Sequence, residues 1–146
     1  MKFFLIIILF ITGCIPIINN IKKNTPKNKI ENIKYFKWKN RILIIFDDKK
    51  QATKKLNKFS GKFEERDIII ILIKDNNSFI NNTLMNDKFH KSITKKIKNI
   101  NKQHKYILIG KDGSIKKTYP SDIIIDKILS KVDSMPMRIR EAKKIN

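Results

Sequence analysis

The stretch Arg41-Ile42-Leu43-Ile44-Ile45-Phe46, followed by Asp47-Asp48, determines how the rest of the chain is arranged. It is a continuous apolar run in which β-branched side chains predominate. A short run of this kind predicts a strand buried on both faces, as at the centre of a mostly parallel sheet. Two further runs, Ile68–Ile73 and Tyr106–Ile109, have the same character. We therefore expect three buried strands in one sheet, with the remaining elements packed onto them.

Apolar residues recur with helical spacing between the first two runs and predict one helix. The residues on its apolar face are Ala52, Leu56, Phe59 and Phe63. Asp47 or Asp48 is expected to cap its N-terminus, and Ser60-Gly61 predicts a break near its end. A strand, a helix and a second strand at this spacing form a right-handed parallel crossover.

The segments after the second run alternate between polar and helical patterns. Lys74–Asn86 is polar and is predicted to be a loop, and Asp87 is the predicted cap of a second helix. Gly110-Lys111-Asp112-Gly113 predicts a hairpin turn that returns Ser114–Thr118 as an edge strand. A last helix is expected to end at Pro136, before a compact turn and a basic tail. The apolar faces of these two helices are Phe89, Ile93, Ile97 and Ile100, and Ile125, Ile128, Leu129 and Val132.

The predicted order of elements is strand, helix, strand, helix, strand, strand, helix. A parallel crossover followed by an antiparallel hairpin and a closing helix is the thioredoxin-like α/β arrangement, here with a mixed four-stranded sheet. Four local motifs sharpen this prediction: Trp38-Lys39-Asn40-Arg41, Glu65-Arg66-Asp67, Gly110-Lys111-Asp112-Gly113 and Met135-Pro136-Met137-Arg138. On these motifs, residues 35–143 resemble domain-of-unknown-function family 4174, which occurs in exported bacterial proteins and in secreted animal matrix proteins with sushi repeats or coiled coils. The resemblance implies a thioredoxin-like fold related to peroxiredoxins, and no settled activity.

The first fourteen residues resemble a bacterial lipoprotein signal. Lys2 supplies the positive charge, Phe3–Ile11 the apolar core, and Ile11-Thr12-Gly13-Cys14 the cleavage sequence. The resemblance implies that residues 1–13 are removed and that the thiol of Cys14 receives a diacylglycerol. The alternative is an uncleaved anchor over Phe3–Ile18, which would reach only about 24 Å as a helix against a hydrocarbon core of roughly 30 Å. We therefore expect an extracytoplasmic, lipid-anchored protein of the cell envelope, with residues 14–34 forming a tether rich in Asn and Lys.

The residues typical of catalysis in this fold do not occur in the sequence. Thioredoxin-like enzymes place a nucleophilic Cys at the start of the first helix, where the helix dipole lowers its pKa. This chain has Asp47-Asp48-Lys49-Lys50-Gln51 there, and Cys14 is its only cysteine. We find no Ser-His-Asp set and no metal-ligand spacing, and His90 and His104 are far apart. We therefore predict no enzyme activity, no cofactor and no metal.

The preferred functional interpretation is a lipid-anchored, non-catalytic interaction domain for an unknown envelope protein or polymer. The first alternative is a basic module that binds a polyanion or a membrane surface. The second alternative, an enzyme of redoxin ancestry that works without cysteine, is supported only by analogy of fold.

The net charge of the chain is +20, from 33 Lys and Arg against 13 acidic residues. Lys, Ile and Asn all have A/T-rich codons, so genomic base composition explains this excess more simply than selection for polyanion binding. The basic residues are also scattered over several elements, which makes nucleic acid an improbable partner. The densest basic surface is the solvent-facing side of the second helix, a possible polyanion contact formed by Lys91, Lys95, Lys96 and Lys98.

Two other groups of residues are candidates for partner binding. Arg138 and Arg140 could contact a carboxylate or phosphate of a partner. In the competing interpretation, Arg138 pairs locally with Glu141 and fastens this segment to the domain. The aromatic residues of Tyr35-Phe36-Lys37-Trp38 are expected to cover one end of the core, with ligand stacking as the alternative.

Overall fold

The computed structural model describes residues 29–46, 56–101, 103–120 and 125–144. Cys14, the predicted signal, Asp47, Asp48 and Ala52 lie outside these residues. The described part contains one mixed sheet with six strands. The strands are β1 (Arg41–Phe46), β2 (Ile68–Lys74), β3 (Asn77–Ile80), β4 (Thr83–Leu84), β5 (Tyr106–Ile109) and β6 (Ile115–Tyr119). Its helices are a 3-10 helix (Ile33–Phe36), α1 (Ser60–Glu65), α2 (Asp87–Ile97), α3 (Ile125–Asp133) and α4 (Pro136–Lys143).

Strand β1 lies inside the sheet, as its apolar composition predicts. The strand order is β4-β3-β2-β1-β5-β6. Ile44 of β1 is opposite Ile71 in the parallel pair with β2 and opposite Ile107 in the antiparallel pair with β5. β5 then pairs antiparallel with β6 across the hairpin. A parallel crossover on one side of β1 and an antiparallel hairpin on the other make the thioredoxin-like topology, so the predicted α/β fold is confirmed.

The core has two layers because successive side chains of β1 point to opposite faces of the sheet. Ile42 and Ile44 lie in the layer that contains Phe89 of α2. Leu43 and Ile45 lie in the layer that contains Ile128 of α3. Complete burial of one such aliphatic side chain contributes about 1.5–3 kcal/mol to folding. A strand that packs helices on both faces therefore needs the unbroken apolar run seen in the sequence.

The prediction of a loop over Lys74–Asn86 is wrong, and the sheet has six strands rather than four. Two tight turns connect β2 to β3 and β3 to β4. The φ angles are 48° at Asp75 and 57° at Asn76 in the first turn, and 49° at Asn81 and 60° at Asn82 in the second. Asp and Asn tolerate this left-handed conformation, which two-residue hairpin turns require. The polar character of the segment therefore reflects turn chemistry rather than a loop.

Three helix boundaries differ from the predictions. The cap of α2 is Asn86 rather than Asp87, and its side chain accepts a hydrogen bond of 2.9 Å from the N–H of Phe89. The helix break expected at Ser60-Gly61 lies instead at residues 58–59, where a turn precedes α1. The compact turn expected after Pro136 is instead the helix α4, with Pro136 in its first turn. Proline suits that position because its missing N–H would have no helical partner there.

The folded domain begins earlier than predicted. Ile30 and Ile33 are each 8% exposed and belong to the core, so the tether boundary predicted at residue 34 lies too late. Only Phe36 of the aromatic segment covers the core, at 4% exposed. Tyr35 and Trp38 are 39% and 61% exposed, which contradicts the expectation that they do the same. Among the helices of the described residues, none has the length and apolarity needed to cross a membrane.

Candidate functional site

The four motifs behind the family resemblance meet at the end of the sheet where β1 begins. The N–H of Trp38 donates to the carbonyl of Lys111 at 2.6 Å, which joins the first motif to the hairpin. The N–H of Arg41 donates to the carbonyl of Asp67 at 2.8 Å, which joins it to the second. The fourth motif joins them through Arg138. This end of β1 is opposite the end that leads into the first helix, where thioredoxin-like enzymes carry their nucleophile.

A buried ion cluster holds this end together. Arg41 is 1% exposed, and its Nη1 donates to the carbonyl of Arg66 at 2.9 Å. Its Nη2 lies 3.0 Å from Oε2 of Glu141, an ion pair without the alignment of a hydrogen bond. The Nζ of Lys111 bridges Oε1 of Glu141 at 2.8 Å and Oδ2 of Asp67 at 2.7 Å. Because buried charges are costly without partners, this cluster requires α4 to stay docked at the start of β1.

The electrostatics of Glu141 follow from this position. Burial by itself raises the pKa of the Glu141 carboxyl, but the hydrogen bond from Lys111 and the positive charges of Lys111 and Arg41 outweigh it and lower the pKa below 4.5. The group is therefore ionised at neutral pH and acts as the counter-charge for the two cations.

The structure does not bring Arg138 and Arg140 together as a binding surface. Arg138 is 7% exposed, and its Nη2 lies 2.6 Å from Oε1 of Glu65. Its Nε lies 3.5 Å from Asp133, and Arg140 is exposed on another side of α4. These contacts favour the interpretation that Arg138 fastens the segment to the domain. Its partners are distant in sequence, however, and the expected local pair with Glu141 is replaced by the contacts of Glu141 with Arg41 and Lys111.

A basic cleft of about 550 Å³ lies beside the cluster, bounded by the 3-10 helix, α2 and the Gly110–Gly113 turn. The N–H of Ile33 donates to Oγ of Ser92 at 2.9 Å, and that hydroxyl donates to the carbonyl of Phe89 at 2.7 Å. These bonds join the 3-10 helix to α2 and set the spacing of the two walls. The apolar floor consists of Ile33, Phe36, Ile42 and Ile109. The basic side chains on the walls are Lys34, Lys37, Lys95 and Lys96.

Only two of the four lysines of the basic face predicted on α2 line the cleft. Lys95 and Lys96 line it together with Ser92, because residues three and four apart share one side of a helix. Lys91 and Lys98 are exposed but do not line the cleft. Lys34 and Lys37 were not predicted as site residues, because the sequence places them in the tether and in the aromatic segment. The spacing of Ile30, Ile33 and Phe36 is a local signal for a helical turn, although no local pattern reveals that this turn docks onto α2.

Positive charge dominates the cleft. Within the described residues, no carboxylate forms an ion pair with any of its four lysines. Asp112 is the one acidic residue among the described residues that line the cleft, and the Nζ of Lys116 donates to it at 2.7 Å. That hydrogen bond, with further ones from Ser114, lowers the pKa of Asp112 from 3.8 to about 2. The Asp112 charge is therefore neutralised by Lys116 rather than by the lysines of the cleft.

Trp38 follows the cleft residue Lys37 in sequence and has an unusual backbone conformation. Its φ of 65° lies in the left-handed region, which bulky residues rarely adopt. The hydrogen bond from its N–H to Lys111 holds it there, while the indole remains 61% exposed. The Nζ of Lys37, a residue of the cleft, lies 5.3 Å from the centroid of the indole ring. Strain of this kind persists where the surrounding structure requires it, and often marks a functional position.

A smaller cleft, of about 360 Å³, lies between Met135-Pro136-Met137 and the other side of the hairpin turn. In the part of the chain that the structure describes, no group of three or more His, Cys, Asp or Glu could hold a metal ion. Nδ1 of His90 lies 2.8 Å from Oγ of Ser78, and Nδ1 of His104 lies 3.3 Å from the carbonyl of Asn101. Both histidines therefore have ordinary structural partners.

Comparison with known proteins identifies a family without a described activity. The family described as "Domain of unknown function (DUF4174)" matches residues 32–141. This range begins beside Ile33, in agreement with the early start of the folded domain. No curated protein matches the chain at a significant level. Among solved structures, the reduced 2-Cys peroxiredoxin of Plasmodium vivax is similar with a TM-score of 0.49 and 16% identity, over 77% of this chain and 84% of that one.

Proposed function

Because the chain belongs to the DUF4174 family of domains of unknown function and has a thioredoxin-like fold, we propose that it is a non-catalytic binding module of the bacterial cell envelope. One observation carries this proposal: Cys14 is the only cysteine of the chain. The thioredoxin-like nucleophile position, within residues 47–51, therefore offers no thiolate for disulfide exchange. The family-specific motifs at the other end of the sheet form ion pairs and border clefts, an arrangement suited to binding.

The anchor of the module is a lipid on Cys14. The sequence Ile11-Thr12-Gly13-Cys14 after an apolar run supports this part of the proposal. Ile30 already belongs to the core, so at most residues 15–29 separate the lipid from the folded domain. The domain would then stay close to the bilayer surface.

Localisation of the full-length chain tests the anchor. The chain and its Cys14→Ser variant are expressed in a bacterium, and both are followed by detergent-phase partitioning. We expect the parent, but not the variant, to enter the detergent phase and to change mobility when the lipoprotein signal peptidase is inhibited. Cytosolic, soluble behaviour of both chains would refute the anchor and reopen nucleic acid as a partner for the basic domain.

Activity assays test the non-catalytic role separately. We expect the purified chain to leave insulin disulfides and hydrogen peroxide unchanged above the uncatalysed rate. Turnover that persists in Cys14→Ser would establish redoxin-related chemistry without cysteine and reject the binding-module proposal. Turnover that disappears in Cys14→Ser would assign a redox role to the thiol that we propose is lipidated.

A second candidate function is polyanion or membrane-surface binding through the basic face of α2. The exposure of Lys91, Lys95, Lys96 and Lys98 favours it. We expect retention on heparin that weakens steeply with salt, because each neutralised anionic group releases counterions. Replacement of all four lysines by Gln should abolish retention. The matched control changes four exposed lysines of other elements to Gln, namely Lys58, Lys117, Lys127 and Lys143; equal losses in both variants would show that only net charge matters.

A further inference from the structure

We propose that the basic cleft between the 3-10 helix and α2 binds a phosphate monoester, carried either by a small molecule or by a lipid headgroup. The inference rests on the binding role proposed above and narrows it to one site and one ligand chemistry. It does not depend on the lipid at Cys14. Its residues are Lys34, Lys37, Lys95 and Lys96, of which only the last two belong to the basic face predicted from the sequence.

The charge of the walls identifies the class of ligand. Four lysines contribute to the lining of the cleft, and Asp112, the one acidic residue among the described lining residues, is held by Lys116 at 2.7 Å. An ammonium is a compact charge with three donors, which suits the oxygens of a phosphate and lacks the planar two-point match of Arg with a carboxylate. A phosphate monoester carries close to two negative charges at neutral pH and balances this excess better than a single carboxylate does.

The shape of the cleft limits the size of the ligand. Its volume of about 550 Å³ falls within the roughly 300–1,000 Å³ typical of small-molecule sites. Ile42 and Ile109 of the floor are 3% and 1% exposed, so the base of the cleft is apolar and its charged groups lie on the walls.

The two walls are held at a defined spacing before any ligand binds. The hydrogen bond of 2.9 Å from Ile33 to Ser92 joins the segment bearing Lys34 and Lys37 to the helix bearing Lys95 and Lys96. Such preorganisation reduces the entropic cost of binding. The side chain of Lys37 is also positioned over the turn, since a Cβ added at Gly113 would lie 3.9 Å from its Cδ.

Trp38 provides a direct signal for occupancy. It is the only tryptophan of the chain, and the Nζ of Lys37 lies 5.3 Å from its ring centroid. An anion that attracts the Lys37 ammonium into the cleft should change the emission of the indole. The full-length chain is therefore titrated with glucose 6-phosphate and inorganic phosphate, with glucose as the neutral control, and calorimetry provides a second readout. We expect saturable binding of both phosphates and none of glucose.

A matched pair of variants on one helix distinguishes the cleft from general basicity. Lys95→Gln/Lys96→Gln should weaken phosphate binding by at least about tenfold, the effect of losing one charge-assisted hydrogen bond. Lys91→Gln/Lys98→Gln removes the same charge outside the cleft and should change binding less than about twofold. Vesicles containing phosphatidic acid are compared with phosphatidylcholine vesicles to determine whether the phosphate comes from a lipid. If the chain binds only the phosphatidic acid vesicles, and Lys95→Gln/Lys96→Gln abolishes that binding, the ligand is a lipid headgroup.

The outcomes separate this inference from the proposed function. Equal weakening of phosphate binding in the two double variants would refute the cleft as the binding site. Heparin retention by the parent would in that case still support a diffuse polyanion-binding surface. The absence of a saturable response to every phosphate probe, by both emission and calorimetry, would also refute the proposal that the cleft binds phosphate. The localisation and turnover experiments are unaffected by either result and test the binding module on their own.

Discussion

At the scale of single residues, the backbone of Trp38 is the clearest conflict between local preference and tertiary structure. Its φ of 65° costs a non-glycine residue about 1–2 kcal/mol, and its exposed ring recovers little by burial. We expect Trp38→Gly to be more stable to urea than Trp38→Ala by about 1 kcal/mol, the reverse of the usual order for these two residues. A more stable Ala variant would show that the strain is relieved elsewhere.

Glu141 is the second residue whose role depends on distant partners. We expect Glu141→Gln to lower the free energy of unfolding by about 3 kcal/mol, because the buried guanidinium of Arg41 loses its counter-charge. Equilibrium urea unfolding measures this. Arg140→Gln is the matched control, since it changes an exposed residue of the same helix and should stay within about 0.5 kcal/mol of the parent. Similar losses in both variants would contradict the role of the cluster.

These residues also show where local reasoning about the site fails. Arg138 and Glu141 are three apart, so their spacing suggests a pair on one helical turn. In the structure each finds a partner far away in sequence, namely Glu65 and Arg41. Lys95 and Lys96 were predictable because they lie on one helix with a regular pattern. Lys34 and Lys37 were not, since their place in the cleft depends on the docking of the 3-10 helix.

At the scale of elements, the strands buried on both faces were predictable and the short outer strands were not. β1, β2 and β5 are apolar except for Arg41 at the start of β1 and Lys74 at the end of β2, so their composition alone identifies them. β3 and β4 are short and include Asn77, Ser78 and Thr83. Their signal was in the turns, at Asp75-Asn76 and Asn81-Asn82. In a chain rich in Asn, that signal did not stand out from the background composition.

The turn between β3 and β4 gives the prediction at this scale. Asn82 has a φ of 60°, which a β-branched residue adopts only with strain. We expect Asn82→Val to lower the free energy of unfolding by about 1–2 kcal/mol, and Asn82→Gly to leave it unchanged or raise it. Hydrogen exchange at the amides of β3 should localise the loss to this edge of the sheet. Val and Gly variants of equal stability would indicate that the turn adopts another conformation.

At the scale of the whole molecule, the acidic residues are unevenly distributed. Within the described residues, five acidic residues form ion pairs around the start of β1, where their partners are Arg and Lys side chains. They are Glu65, Asp67, Asp112, Asp133 and Glu141. This concentration leaves the lysines of the cleft without carboxylate partners within the described residues. Whatever the origin of the net charge of +20, the fold separates a cluster of paired charges at the start of β1 from a cleft lined by unpaired lysines within the described residues.

This distribution makes stability depend on acid in a defined direction. The pKa of Glu141 is lowered below 4.5, and that of Asp112 from 3.8 to about 2, so both carboxylates bind protons more readily in the unfolded chain. Their contribution is complete above pH 4.5 and is lost as the pH falls through the lowered values. We therefore expect the free energy of unfolding to be flat near neutral pH and to decline once the pH falls below 4.5.

The Glu141→Gln variant distinguishes the contribution of Glu141 to this acid-dependent loss of stability from the contribution of Asp112. It removes one titrating group, so its free energy of unfolding should start lower at neutral pH and then fall less steeply with acid than that of the parent. Arg140→Gln keeps both carboxylates and should follow the parent curve. Urea unfolding of the three chains across the acid range measures the slopes. If the free energy of unfolding of Glu141→Gln falls with acid as steeply as that of the parent, the whole decline is due to Asp112 and other carboxylates. Protonation of Glu141 would then make no contribution to acid destabilisation.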